Sequence, residues 1–154
     1  MGYMTAFQIG SSALQAQRLR LDIISNNIAN AETTRTAAGG PYQRQDVVFS
    51  ASDQAITPGN LSVFNSNSTL SNQVNASLQG VKVDKIITDT SPGTKVYDPT
   101  HPDADSKGYV TYPNVNMVVE MTNMLSASRS YEAGLSIVDA ARSMAIKAID
   151  IGSA

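Results

Sequence analysis

Three clusters of the 154-residue chain carry side chains able to do chemistry. His101-Pro102-Asp103-Ala104-Asp105-Ser106-Lys107-Gly108 brings together an imidazole, two carboxylates and a hydroxyl, Ser25 to Thr33 concentrates amides, and Arg129 and Glu132 set opposite charges three residues apart around Tyr131. A calcium loop beginning at Asp103 would match Asp105 and Gly108, but it puts Lys107 at the third ligand position and Asn114 where the closing carboxylate belongs. A triad of Ser106, His101 and an Asp lacks any nucleophile-elbow pattern, and a lone His followed by Pro reads as a turn residue. Gly39-Gly40-Pro41 is a turn, not a phosphate loop. The absence of cysteine removes thiolate chemistry and disulfides and leaves the redox compartment open. No catalytic residue, metal or cofactor is therefore expected.

The amide cluster admits two readings. Asn has poor helix propensity, so three of them in Ser25-Asn26-Asn27-Ile28-Ala29-Asn30-Ala31-Glu32-Thr33 need a reason. Either Asn30 is a left-handed C-cap and the others are solvated, or Asn26, Asn27 and Asn30, spaced three and four apart on one flank, hydrogen-bond neighbouring helices and fix register as buried Asn does in coiled coils. For Arg129 and Glu132 the ordinary reading is a surface ion pair worth about 0.2–0.5 kcal/mol.

The elements that must position these groups follow from periodicity. From Thr5 to about Asn30 there is no Pro, and Phe7, Leu14, Leu21 and Ile28 recur every seven residues, interleaved with Gly10, Gln17, Ile24 and Ala31. This predicts a helix about 40 Å long with a stripe it cannot bury alone. At the other end, Pro113 stops an extended segment and Asn114 or Asn116 is placed to cap a helix continuing to about Ile151 before Gly152. One row of it is Met117, Met124, Tyr131, Val138 and Ala145, and its expected partner row is Met121, Ser128, Leu135, Arg142 and Ile149. A further stripe, Ile137, Ala141, Met144, Ala148 and Ile151, makes the last turns apolar on more than one side. Between the helices, Ala37 to Pro41 reads as a turn, and short β-type runs appear at Val47 to Phe49, Leu61 to Phe64, Val81 to Ile87, Lys95 to Tyr97 and Tyr109 to Tyr112. The Ser/Asn/Gln-rich stretch of about 50–79 has little apolar surface and is expected to be a mobile loop with at most a small hairpin.

Ordering a residue costs about 1–2 kcal/mol, and burying a Leu or Ile returns roughly 1.5–3 kcal/mol. Fewer than half of the helical positions are large apolars, so two such helices alone are marginal and neighbouring copies or related subunits are expected to supply the missing burial, the free monomer being partly disordered at its ends. A net charge of -2 with scattered basic residues offers no footprint for nucleic acid or an anionic membrane. No apolar run approaches the roughly 20 residues of a membrane span, and the N-terminus has neither a basic nor a continuous apolar region, so no cleaved secretory signal is expected.

The run from Ala13 through Leu21 to Ser25-Asn26-Asn27-Ile28-Ala29-Asn30-Ala31 resembles the N-terminal signature of the flagellar rod and hook axial proteins. Pro41-Tyr42-Gln43-Arg44, Val96-Tyr97-Asp98-Pro99, His101 to Asp105, Gly108-Tyr109-Val110, Pro113-Asn114-Val115-Asn116 with Val119-Glu120-Met121, and Ser126 to Ala133 narrow the resemblance to the proximal-rod branch of that family. Two departures stand out: Gly134 replaces the Asn usual after Tyr-Glu-Ala, and the segment Ser52 to Asn75 is longer than usual. Gly134 costs a helix roughly 1 kcal/mol relative to Ala, so it marks a close helix approach or a bend.

The resemblance implies a mainly α protein: paired, coiled-coil-like terminal helices forming an inner domain (1–35 and 113–154) and an extended, short-stranded β-containing middle (36–112). It implies a structural subunit, not an enzyme, of a rod that spans the periplasm and transmits motor torque, exported by the flagellar type III apparatus without a cleaved signal. Its partners would be other copies and other rod subunits, with no nucleic acid and no direct membrane insertion. The assembly contacts would be Phe7, Leu14, Leu21, Ile24, Asn26, Asn27, Ile28 and Asn30 on the first helix. On the second they would be Met117, Met121, Met124, Arg129, Tyr131, Glu132, Leu135 and Val138, with Arg129 reaching a neighbour's acceptor and Gln17, Ser128 and Arg142 setting register. The alternatives are another rod or hook subunit, an export adaptor or chaperone, and a rod-associated peptidoglycan hydrolase. The last would need a paired-carboxylate cleft, for which the chain offers only Asp103 and Asp105 on one loop.

Overall fold

Asn116 sets the start of the long C-terminal helix. In the computed structural model, which describes residues 2–55 and 79–152, its Oδ1 accepts the Val118 and Val119 amides at 3.0 and 3.2 Å, satisfying two donors that a helix start leaves without partners. The helix formers that follow run without Pro to Gly152. The element order is α1 (Gly2–Ala29), β1 (Gln45–Ala55), β2 (Gln79–Thr88), β3 (Lys95–Tyr97), β4 (Tyr109–Thr111) and α2 (Met117–Gly152). The terminal helices with a short-stranded middle are thus present as expected. The expected run Leu61 to Phe64 and most of the expected loop at 50–79 lie outside the described residues; within that stretch, β1 continues to Ala55.

The chain divides into two compact units. One comprises Met1–Arg18, Phe49–Asp84 and Ser128–Ala154, the other Leu19–Val48 and Lys85–Ala127. In the first, a Cβ at Gly10 would lie 2.8 Å from Val138 Cγ2 and one at Gly134 would lie 3.1 Å from Leu14 Cδ2. Climbing one turn of α1, from residue 10 to 14, descends one turn of α2, from 138 to 134, so the helices run antiparallel at close approach here. Gly134 therefore marks contact, the first of its two expected meanings. The Ser12 hydroxyl donates to Ile9 O at 2.8 Å and accepts the Val81 amide at 3.1 Å, tying β2 to α1. Gly10, Ala16, Gly80 and Ala141 are the buried positions.

In the second unit the buried apolar residues are Ile23, Ile24, Val110, Ala127 and Pro113. β3 pairs antiparallel with β4 in the register Lys95 with Thr111, Val96 with Val110 and Tyr97 with Tyr109. The loop between them is a chain of turns. Asp98 Oδ1 accepts from Thr100, His101 Nδ1 accepts the Asp103 amide at 3.1 Å, and Asp105 Oδ1 accepts the Lys107 and Tyr109 amides at 2.7 and 3.0 Å. Gly108, at φ 79°, takes the left-handed conformation that closes it. His101 is thus a turn residue, packed edge-on to Tyr112. β1 pairs with β2, and the Asp89 amide donates to Arg44 O at 2.8 Å where β1 begins and β2 ends.

α1 ends without a left-handed cap: among the described residues no non-glycine residue has positive φ, which corrects that reading of Asn30. Its side chain instead donates to Asn26 O at 3.0 Å, a carbonyl that also accepts the Asn30 amide at 3.1 Å, and accepts Thr33 Oγ1 at 3.2 Å, tying the last turn to the segment after it. The inward row of α2 also differs from expectation. Glu120, Ala127 and Ala141 are buried and Gly134 half-buried, whereas Met121, Leu135 and Ile149 of the expected partner row are exposed. Small side chains let two backbones approach, and a count of large apolar residues does not register them.

Candidate assembly interface

At the end of α1, Asn27 is fully buried and every hydrogen-bonding position of its amide is used inside the chain. Nδ2 donates to Gln45 O at 2.8 Å and to Glu120 Oε2 at 3.2 Å, and Oδ1 accepts the Gln45 amide at 3.0 Å and the Tyr42 hydroxyl at 2.9 Å. The side-chain amide thus pairs with both the N–H and the C=O of one residue, as a neighbouring strand would. Glu120, also 0% exposed, accepts Arg44 Nε at 2.8 Å, and Arg44 Nη1 reaches Asp46 at 3.2 Å. Burial pulls the Arg44 guanidinium down, but hydrogen bonds and charge from Glu120 and Asp46 outweigh it and hold the group above its ordinary value. Burial, and then the Glu120 charge, raise the Tyr42 phenol, keeping it a neutral donor. Thr34 Oγ1 donates to Asp103 at 2.8 Å, fastening the segment after α1 to the 98–108 turns.

Sequence reasoning singled out Asn27 but not Tyr42, Arg44 or Glu120. A Glu in the first turns of a helix is ordinarily explained by the helix dipole, and its partners lie 76 and 93 residues away, so no local signal marks it. Asn27 does hydrogen-bond a neighbouring helix, α2 of the same chain, through Glu120, and with every position of its amide used there it has none left for another copy.

The other candidate contacts separate by exposure. Ile24 is buried; Leu14, Leu21, Ile28, Asn30, Met124, Tyr131 and Val138 are half-buried; Phe7, Asn26, Met117, Met121, Arg129, Glu132 and Leu135 are exposed. Arg129 and Glu132 make no ion pair with each other. Gln17, expected to set register, has its Oε1 buried without a hydrogen-bond partner among the described residues. Beyond these, α2 exposes Val118 (72%), Leu125 (64%), Ile137 (56%), Met144 (57%), Ile149 (70%) and Ile151 (79%), so large apolar side chains stand in solvent along the whole helix. Exposed apolar side chains in this number are what makes α2 the candidate interface.

A cleft of about 210 Å³ beside Tyr42, lined by Asp89, Ser91, Pro92, Lys95, Thr111 and Asn114 among others, lies in the second unit. Hydrogen bonds from Ser91 hold the Asp89 carboxyl below its ordinary value. Among the described residues no three His, Cys, Asp or Glu side chains are grouped to hold a metal, and no helix is long and apolar enough to cross a membrane. Asp103 and Asp105 are engaged in turn and loop contacts.

Residues 7–35 match the family described as flagella basal body rod protein, and residues 106–151 match the flagellar basal body rod FlgEFG protein C-terminal family. The chain is 44% identical to the flagellar basal-body rod protein FlgC of Borreliella burgdorferi over 98% of both chains. It is 42% identical to that of Bacillus subtilis (97% of this chain, 99% of the relative) and 38% identical to that of Escherichia coli O6:H1 (99% of both). Identity of this level over both helices and the strands between them shows that the chain belongs to the FlgC family of flagellar basal-body rod proteins, whose members are structural and not catalytic.

Proposed function

We propose that this chain is a subunit of the proximal rod that packs α1 and α2 against copies of itself and other rod subunits, forming the tubular shaft that carries torque from the motor. The observation that carries the reading is the apolar surface of α2. A 36-residue helix exposing Val118, Leu125, Leu135, Ile149 and Ile151 is unsatisfied as a monomer and gains its burial on assembly. Phe7, Asn26, Met117, Met121, Arg129, Glu132 and Leu135 are exposed and available to neighbours, with Arg129 reaching an acceptor on an adjacent subunit. Half-buried Leu14, Leu21, Ile28, Met124, Tyr131 and Val138 serve both the contact within the chain and its continuation outside. The subunit reaches the periplasm through the flagellar export apparatus and takes its place there between other rod proteins.

The test is complementation of a strain lacking the chain. Wild type restores swimming and appears in purified basal bodies. Leu135→Pro, which breaks α2 at a cost of about 3 kcal/mol or more, is expected to be stably expressed yet absent from basal bodies and non-motile. Swimming by the Leu135→Pro strain, or basal bodies that lack the wild-type chain, would overturn the reading. A position elsewhere along the rod or hook in labelled basal bodies would favour a different axial subunit.

A further inference from the structure

Over residues 117–127 the side chains that α2 buries are those of Glu120 and Ala127, with Asn123 and Met124 half-buried, while Val118, Val119, Met121 and Leu125 are exposed. Alanine is a shallow knob and the methionine side chain is flexible, so apolar packing says little about where this part of the helix must stop along its neighbours. The positional information lies in polar contacts instead: Glu120 Oε1 to Arg44 Nε at 2.8 Å and Glu120 Oε2 to Asn27 Nδ2 at 3.2 Å. Asn27 is independently pinned to one residue by its pairing with both the N–H and the C=O of Gln45. Shifting α2 by one turn would bring Asn116 or Asn123 and Met124 to the place of Glu120 and leave Arg44 facing no carboxylate there. Directional bonds discriminate such a shift; contact with an alanine does not.

We propose that the Arg44–Glu120 pair is an alignment lock, which selects one axial position of the start of α2 on Asn27 and Gln45 without adding net stability. A buried carboxylate loses its hydration on folding, and the partner's attraction roughly offsets that loss, so an apolar pair of similar volume holds the segment as strongly but less selectively.

The experiment uses the full chain. Arg44→Met/Glu120→Met leaves Asn27 bonded to Gln45 but one Asn27 Nδ2 hydrogen without its Glu120 acceptor, so the double variant is read against Arg44→Met and Glu120→Met alone, each of which also strands a charge. The expected result is a urea unfolding midpoint above those of both single variants. Beside it, 1H–15N spectra should show a second set of cross-peaks for residues 117–127, carrying about a tenth of the intensity. Glu120→Gln keeps one acceptor oxygen, sets its NH2 against a donor of Arg44 or Asn27 and loses the charge, and should give a lower midpoint. A double variant less stable than either single one, or one that fails to fold, would make the pair a plain stabiliser and overturn the lock. A single set of peaks at wild-type stability would overturn it equally. Neither readout depends on rod assembly, so a negative result leaves the assembly reading intact and the converse also holds.

Discussion

Residues 117–127 of α2 turn a carboxylate inward, toward Arg44 and Asn27, whereas residues 128–152 turn inward Gly134, Val138 and Ala141. The first arrangement is directional and satisfied within the chain. The second is a matter of shape, with a Gly on each helix facing a side chain of the other so closely that an added Cβ would lie 2.8 and 3.1 Å from it. Both regions leave large apolar residues in solvent, so neither depends on a deep core; among the described residues the buried apolar side chains larger than alanine are Ile23, Ile24, Val110 and Pro113. The contrast teaches that one helix can be positioned by charge and amide chemistry along one stretch and by close backbone approach along another.

The largest expected effect breaks the polar side of this contrast. Glu120→Ala leaves the Arg44 guanidinium and one Asn27 donor without a partner, and should destabilise the folded chain by about 3 kcal/mol, the lower end for a broken buried pair because Arg44 is partly solvated; urea unfolding of the full chain measures it.

The shape-based side is sharpened by comparing two glycines. Gly10→Ala meets Val138 Cγ2, whose β-branched rotamer is stiff in a helix, and should cost about 1 kcal/mol net even after the gain in helix propensity. Gly134→Ala meets the far end of Leu14, which can turn aside, and should lie within about 0.5 kcal/mol of wild type. Equal losses at both positions would show that rigidity of the facing side chain is not what matters.

Exposed positions should respond differently again. Leu125→Ser and Ile149→Ser are expected to change monomer stability by no more than about 0.5 kcal/mol while reducing swimming, as read in thermal melts and soft-agar spreading. A stability loss comparable to that of Glu120→Ala would place these residues in a core of the single chain.

The smallest effect concerns pH. Hydrogen bonds from the Tyr109 and Lys107 amides hold the Asp105 carboxyl below its ordinary value of 3.8. A depressed folded value means that Asp105 stabilises the 98–108 turns fully above about pH 3.8 and loses that contribution as pH falls through the lower folded value. Amide exchange at Lys107 and Tyr109 should therefore quicken only in strong acid, and Asp105→Asn, which keeps an acceptor oxygen, should remove that dependence.

Much of the fold is legible without coordinates. Unbroken seven-residue rows, Pro113 and the Asn116 cap mark both helices to within a few residues, and β3 lies where the Lys95 to Tyr97 run places it. These features are local: a cap, a periodicity and a β-rich run act within one or two turns of chain. Asn30 was misread because Asn tolerates both a left-handed backbone and a side-chain bond to a preceding carbonyl, and only the surrounding turn, with Thr33 donating to it, selects the second.

What the amino-acid order determined by itself is therefore the elements and the family to which they belong. The tertiary structure decided which face of α2 turns inward and where its first turns stop. Hydrophobicity favours the large residues of Met121, Leu135 and Ile149, but where the helices approach closely a Gly on one must face Val138 or Leu14 on the other, and Leu135 and Ile149 stay exposed. Glu120 is drawn inside because Asn27 and Arg44, distant in the chain, arrive with donors aimed at it. Steric fit and hydrogen-bond satisfaction depend on partners far away in sequence, and they exist only once those partners have met.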